Sequence, residues 1–524
     1  MREDTYNAVA ELLDRNVAQG RGDKVAFVDR HRTLTYGELQ ADSRRVANLL
    51  TRLGVRREQR VAMIMLDTVE FPMVFLGAMR AGAVPVPLNT LLTPEQYAYM
   101  LKDSRARALF VSAALLKTLE PILARLSDLE AVVVVGDGAA SPQTVFAQAL
   151  ADMPAAFETA QTHPDEPAFW LYSSGSTGMP KGVTWMHQNL WAGARAVVHY
   201  VAVTEHDRLA SLLPFSFDYG FNQLLCAVLT GATLIIERSP VPQQVAATLR
   251  AKEVTVLACV PPLWLQLVGA PEFRREPIAT LRAMTNTGGR IPVEGVRDLR
   301  RLQPQARLFL MYGLTEAFRG TYLPPDEVDA HPDSMGRAIP GSEIFVLRED
   351  GTPCDDDEVG ELVQRGATVA AGYWNDPETT ARVYRPNPLR PAGAPDDERV
   401  VFSGDLVKRD AQGRLYYVGR RDRVIKTLGM RVSPDEIADV LYASGHVAEG
   451  IVGTEEDDVR GTRIIAYVVL KPESTLAALE GFCKRELPRH MQPARYEVRD
   501  ELPRTTSGKF DLRAAQDVRT TQPA

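Results

Sequence analysis

Chemistry is concentrated in the stretch YSSGSTGMPKG, residues 172–182, where Ser173, Ser174, Gly175, Ser176, Thr177 and Gly178 run up to Lys181. Glycines leave backbone N–H groups uncovered and let the chain approach a ligand closely, the hydroxyls add donors, and the lysine adds a point positive charge. That set of groups suits phosphate. A flexible Gly/Ser turn would explain the glycines alone, but a linker has no use for a lysine held behind Pro180. The stretch also departs from the G-x-x-x-x-G-K-S/T phosphate loop, because Gly182 follows Lys181 where that pattern needs a hydroxyl. A nucleotide site of another kind is expected.

The elements that must hold such a loop are legible as alternating signals. Residues 34–53 place Leu39, Val46, Leu49 and Leu50 on one face between charges, which predicts an amphipathic helix. Residues 60–66, 108–112 and 131–135 are short apolar runs bounded by charge or turn residues, as strands are. The alternation predicts layered α/β architecture with mostly parallel sheets. A hairpin is expected around Gln412-Gly413, and a Pro-rich surface loop at 385–399. After residue 419 the pattern changes. Ser433 reads as an N-cap with Pro434 in the first turn and Glu436 at the capping-box position, then 464–470 reads as a strand and 476–487 as a helix.

A chain of 524 residues is too long for one core and should divide into a large part and a smaller one. Its net charge of −7 argues against a nucleic-acid partner bound through a broad basic surface. Cys226, Cys259, Cys354 and Cys483 are scattered, with no spacing for zinc or a disulfide framework. The N-terminal stretch has no signal-peptide pattern, and the apolar run from Phe71 to Leu88 is broken by Arg80, so no membrane span and a cytoplasmic location are expected.

Six motifs occur in order: YSSGSTGMPKG at 172, MYGLTEA at 311, GELVQRG at 360, FSGD at 402, GRRDRVIKTLGMRV at 419 and PRTTSGKFD at 503. Together they make the chain resemble the AMP-forming adenylating enzymes, the superfamily of acyl-CoA synthetases, firefly luciferase and peptide-synthetase adenylation domains. The resemblance implies a large N-terminal core domain, residues 1–421, and a small mobile α+β C-terminal domain, 422–524, with a hinge near Asp422. It also implies ATP and Mg2+ as cofactors and a carboxylic acid activated as its adenylate before transfer to a thiol.

On the same resemblance, Ser173 to Lys181 would bind the β- and γ-phosphates and Thr315 the α-phosphate. Glu316 would hold Mg2+, a hard cation that takes oxygen ligands. Asp405 would accept the ribose hydroxyls with Arg420 assisting, and Gly288, Gly289 and Tyr312 would line the adenine slot. Lys509 would bridge substrate carboxylate and α-phosphate in the transition state. The loop around Gly429 would meet the incoming thiol after the small domain swings.

The acid is read from PFSFDYGFNQL, residues 214–224, and TEAFRGTYL, 315–323. Phe217-Asp218 resembles domains in which the aspartate pairs with a substrate ammonium, a group that needs a counter-charge in an apolar pocket. Asp218 could instead cap a helix running to Leu229. The second stretch is similar to stand-alone enzymes that activate β-amino acids for macrolactam polyketides and to exosortase-associated acyl ligases. It makes Phe318 and Arg319 candidate pocket residues beside Thr287 and Gly313, with a surface ion pair as the other reading of Arg319. The expectation is therefore an amino acid, β-amino for preference, passed to the phosphopantetheine thiol of a carrier protein. The alternative is an aryl- or medium-chain-acid CoA ligase. A catalytically silent binding protein of the same fold is disfavoured by Lys181, Glu316, Asp405 and Lys509 being in place together.

Overall fold

The computed structural model describes residues 6–136, 144–173, 179–239, 241–391, 393, 398–421, 425–427, 430–457 and 461–517. Five parallel strands, in the order Val84–Pro87, Arg60–Ile64, Ala108–Ser112, Ala131–Val135 and Thr144–Val145, make one sheet. All of Val61, Ala62, Met63 and Ile64 are buried, as expected when helices cover both faces of a parallel sheet. A second, larger sheet has a parallel half in the order Val25–Val28, Thr233–Ile236, Arg208–Ser211, Val256–Cys259, Ala283–Asn286 and Arg307–Tyr312. Beyond Tyr312 it continues through antiparallel pairings that include Thr321–Leu323, Ser334–Ala338, Leu415–Arg420 and Arg399–Arg409. This antiparallel half is what the alternation of sequence signals does not disclose.

The strands that flank the opening motif, Pro167–Ser173 and Lys181–Met186, pair antiparallel, with Ser173 opposite Lys181. Lys181–Met186 pairs on its other edge with Gly372–Tyr373 and is the middle strand of the three. Two segments far apart in sequence are thereby laid side by side.

The helix Tyr36–Arg52 starts with a capping box of Thr35 and Glu38 and buries Leu39, Val46, Leu49 and Leu50, the stripe its periodicity predicts. Against it lies Glu70–Arg80, buried from Phe71 to Arg80. The charge that breaks the apolar run, Arg80, is fully buried and held by Asp14 at 2.7 and 2.9 Å, with Ser43 and Thr159 as further acceptors. Among the described residues no helix is long and apolar enough to cross a membrane.

The C-terminal stretch forms its own sheet, Val447–Asp457 antiparallel to Gly461–Leu470, which pairs in parallel with Arg495–Val498. Helices Pro434–Ala443 and Leu476–Glu486 cover it, and Ile437, Leu441, Val452, Ala466, Val468 and Leu479 share a core separate from the larger one. Ser433 is the N-cap, but its side chain accepts from Asp435 N–H, and the expected box with Glu436 does not form. The fold is α/β, with a large N-terminal part and a smaller C-terminal one.

Helix–helix packing gives a direct prediction. A Cβ on Gly77 would lie 2.5 Å from Val46 Cβ and 2.8 Å from Ser43 O, so Gly77→Val should destabilise by about 1–3 kcal/mol in chemical denaturation. Gly269→Ala, where a Cβ would meet nothing within 4 Å, should leave the unfolding midpoint unchanged.

Candidate active site

Tyr312 ends a parallel strand, and its hydroxyl donates to Asp405 Oδ2 at 2.5 Å from across the antiparallel half of the sheet. Arg420 Nε lies 3.4 Å from the other carboxylate oxygen, Oδ1. Asp405 and Arg420 are register partners on adjacent strands, which fixes the pair. Burial, and then the Asp405 charge, push the Tyr312 hydroxyl well above its ordinary pKa, so it stays a donor at neutral pH.

Lys181 and Glu316 are joined through Tyr373. The Tyr373 hydroxyl donates to Glu316 Oε1 at 2.7 Å, and its ring lies 5.8 Å from Lys181 Nζ. Burial raises the Glu316 carboxyl above the usual range, partly offset by the Tyr373 hydrogen bond. Lys181 Nζ itself donates to Asp376 Oδ2 at 2.6 Å and to the Thr379 hydroxyl. Asp376 is also the N-cap of helix Pro377–Val383, accepting from Thr379 N–H at 2.9 Å, and the lysine holds its carboxyl down at about 2. A cavity of about 320 Å³ opens beside this pair, with Tyr99, Asp103 and Trp374 on its walls.

Lys509 reaches the N-terminal part from the C-terminal one, beside Phe217 and Gly288. Its loop is closed by Thr505 N–H to Lys509 O at 2.7 Å and Lys509 N–H to Thr505 Oγ1 at 3.2 Å, with Gly508 at φ +82°. Asn89 Nδ2 donates to Thr506 O at 3.3 Å, tying the loop to the N-terminal part. The ammonium sits 5.4 Å from the Phe217 ring centre, and a Cβ on Gly288 would come within 3.0 Å of Lys509 Cε. Gly288, at φ +81°, therefore answers both a backbone need and a close approach. Gly289 O accepts from Asn286 Nδ2 at 3.0 Å, and Thr315 is half-buried in the turn after Tyr312.

The acyl-pocket candidates are arranged otherwise than expected. Phe217, not Asp218, is the N-cap of helix Asp218–Thr230, and no side-chain cap bond is made, so the capping reading of Asp218 fails. Arg319 is 1 % exposed, which removes the surface-pair reading, and its Nη1 lies 3.7 Å from Asp218 Oδ2. The two candidates thus face each other, and Asp218 already has a counter-charge. The Phe318 ring is fully buried, 4.7 Å from Trp185, where a Cβ on Gly193 would come within 2.1 Å of it. Gly313 gives clearance to the same turn, since a Cβ there would lie 2.8 Å from Phe318 O. Thr287 is buried, and its hydroxyl has no partner among the described residues. Ser174, Gly175, Ser176, Thr177, Gly178, Asp422 and Gly429 lie outside the described residues.

The sequence pattern of the AMP-binding enzymes matches residues 13–374, and that of the AMP-binding enzyme C-terminal domain matches 436–509. The chain belongs to the AMP-binding enzyme family. It is 35% identical to a 4-hydroxybenzoate–CoA/benzoate–CoA ligase of Rhodopseudomonas palustris over 96% of this chain and 93% of that protein. A linear gramicidin synthase of Brevibacillus parabrevis is 30% identical over 95% of this chain but only 9% of its own length. Among solved structures, an anthranilate CoA ligase in complex with anthranoyl-AMP superposes with a TM-score of 0.90 at 27% identity, covering 98% of each chain. This AMP-binding enzyme is an AMP-forming, adenylating acid–thiol ligase that uses ATP.

Sequence reading missed Tyr373, Asp376 and Asn89. A signal for the first two was present in GYWNDPETT, residues 372–380, where Asp376 before Pro377 has the form of a helix N-cap. The buried pair gives the prediction here. Arg319→Met would leave the Asp218 carboxylate buried without its cation and should cost about 3–5 kcal/mol in chemical denaturation, while Asp218→Asn combined with Arg319→Met should recover most of that loss.

Proposed function

We propose that this AMP-binding enzyme activates an aromatic carboxylic acid as its acyl-adenylate and transfers the acyl group to CoA. The observation that carries the reading is the Asp218–Arg319 pair: the carboxylate expected to await a substrate ammonium is balanced from within the protein. The likeness over nearly the whole chain to a ligase named for benzoate and 4-hydroxybenzoate supports it.

A carboxylate is a poor acyl donor because its leaving group would be oxide. Its attack on the α-phosphorus of ATP breaks the bond to pyrophosphate and gives a mixed anhydride whose leaving group is AMP. Both reactants are anions, so catalysis rests on placing cations and donors around them. In this reading Lys181 takes the β- and γ-phosphates, with the loop from Ser173 to Gly178, and Thr315 takes the α-phosphate. Asp405 accepts the ribose hydroxyls beside Arg420, while Gly288, Gly289 and Tyr312 border the adenine. Lys509 offsets the charge that builds between carboxylate and α-phosphate.

Mg2+ fits the site, because it takes few protein carboxylates and keeps water and phosphate oxygens; Glu316, buried and oriented by Tyr373, is the ligand offered. When bound, the ion neutralises charge on the phosphates. The thiol then attacks the acyl carbon and releases AMP. The C-terminal unit from Asp422 onward carries Lys509 and the Gly429 loop, so each half-reaction calls on a different part of it.

An amino acid passed to a carrier protein is the second reading. It is favoured by the 3.7 Å gap between Arg319 and Asp218, which is beyond hydrogen-bond reach and leaves carboxylate acceptor capacity for an amine. ATP–pyrophosphate exchange over benzoates, fatty acids, α-amino and β-amino acids separates the two. Exchange driven by benzoates, with CoA consumed in the complete reaction, is the expected result. Exchange driven by amino acids and abolished in Asp218→Ala would overturn the aryl reading.

A further inference from the structure

Lys509 can act only while the C-terminal unit is seated on the N-terminal one, and one charged contact between the units stands out. Arg290 Nη1 lies 2.6 Å from Asp439 Oδ2, joining the end of the Thr287-Gly288-Gly289 stretch to helix Pro434–Ala443. The same short stretch therefore touches the C-terminal unit twice, at Lys509 through Gly288 and at Asp439 through Arg290. Helix Pro434–Ala443 also packs on helix Val293–Leu302, which begins three residues after Arg290.

The surroundings make this contact decisive. Burial raises the Asp439 carboxyl, Arg290 draws it down, and the charges of Asp435, Asp333 and Glu436 raise it again. Arg290 thus holds Asp439 against the opposing charge of Asp435, Asp333 and Glu436. A pair opposed in this way is weak enough to part.

We propose that the Arg290–Asp439 ion pair is the clasp that seats the C-terminal unit for adenylate formation, with Asp439 acting as a positioning residue through Lys509. The proposal concerns the first half-reaction only: carboxylate attack on the α-phosphorus needs Lys509, whereas attack of a thiol on a finished adenylate does not use that ammonium.

The test is a double-mutant cycle on the full chain, with Asp439→Ala, Lys509→Ala and both together, read by ATP–pyrophosphate exchange with whichever acid the unaltered protein activates. It thus does not depend on the aryl reading. If Asp439 acts through Lys509, Asp439→Ala lowers exchange about tenfold, a loss corresponding to about 1.4 kcal/mol of barrier, but adds no further loss in the Lys509→Ala background. Transfer from a supplied acyl-adenylate to whichever thiol the unaltered protein accepts stays at the unaltered rate, and Asp439→Glu restores exchange. Losses that multiply in the double variant, or an equal fall in transfer from the supplied adenylate, would overturn it. Should Asp439→Ala melt early, Asp439→Asn gives the same readings with the side-chain volume kept.

Discussion

Joining a carboxylate to a triphosphate brings anion against anion, and the rest of the structure follows from that repulsion. Positive charge has to be delivered from several directions at once, and no single element of the chain can do it. Lys181 comes from a hairpin, Arg420 from the antiparallel half of the large sheet, and Lys509 from a unit with its own core. Partners remote in sequence steer the site: Asp376 stands 195 residues from Lys181, and Tyr312 orients Asp405, the partner of Arg420, over a gap of 93 residues. The sheets serve to bring those partners within reach.

Local strain serves the same end. Phe318 adopts φ +57°, a left-handed backbone that costs a non-glycine residue on the order of 1 kcal/mol or more. That turn drops its ring against Trp185 and above Gly193, and it aims Arg319 inward, with Nη1 on Phe318 O at 2.6 Å and the guanidinium 5.0 Å from the Tyr219 ring centre. The buried packing of one residue thereby positions the next beside Asp218.

Much of the frame was legible because it is governed by local rules. The stripe on helix Tyr36–Arg52, the apolar parallel strands and the Ser433 cap each follow from periodicity or from a single hydrogen bond. The site was legible chiefly through motif resemblance. What stayed hidden is set by long-range pairing. Asp218 and Arg319 are 101 residues apart and carry no mark of being partners, and the inward turn of Phe318 depends on space left by Gly193 on helix His187–Val201. Tyr373 contacts Glu316 because two short strands pair, which residue types alone do not encode.

Central to the proposed mechanism is Lys509, which lies against Phe217 and Gly288 and is assigned there to adenylate formation alone. Measuring both half-reactions separately in Lys509→Ala tests that role most directly. Adenylate formation should fall about 100-fold or more, the usual effect of removing one oriented group that stabilises transition-state charge, while thioester formation from a supplied acyl-adenylate proceeds at the unaltered rate. Equal losses in both half-reactions, or no loss in the first, would contradict it.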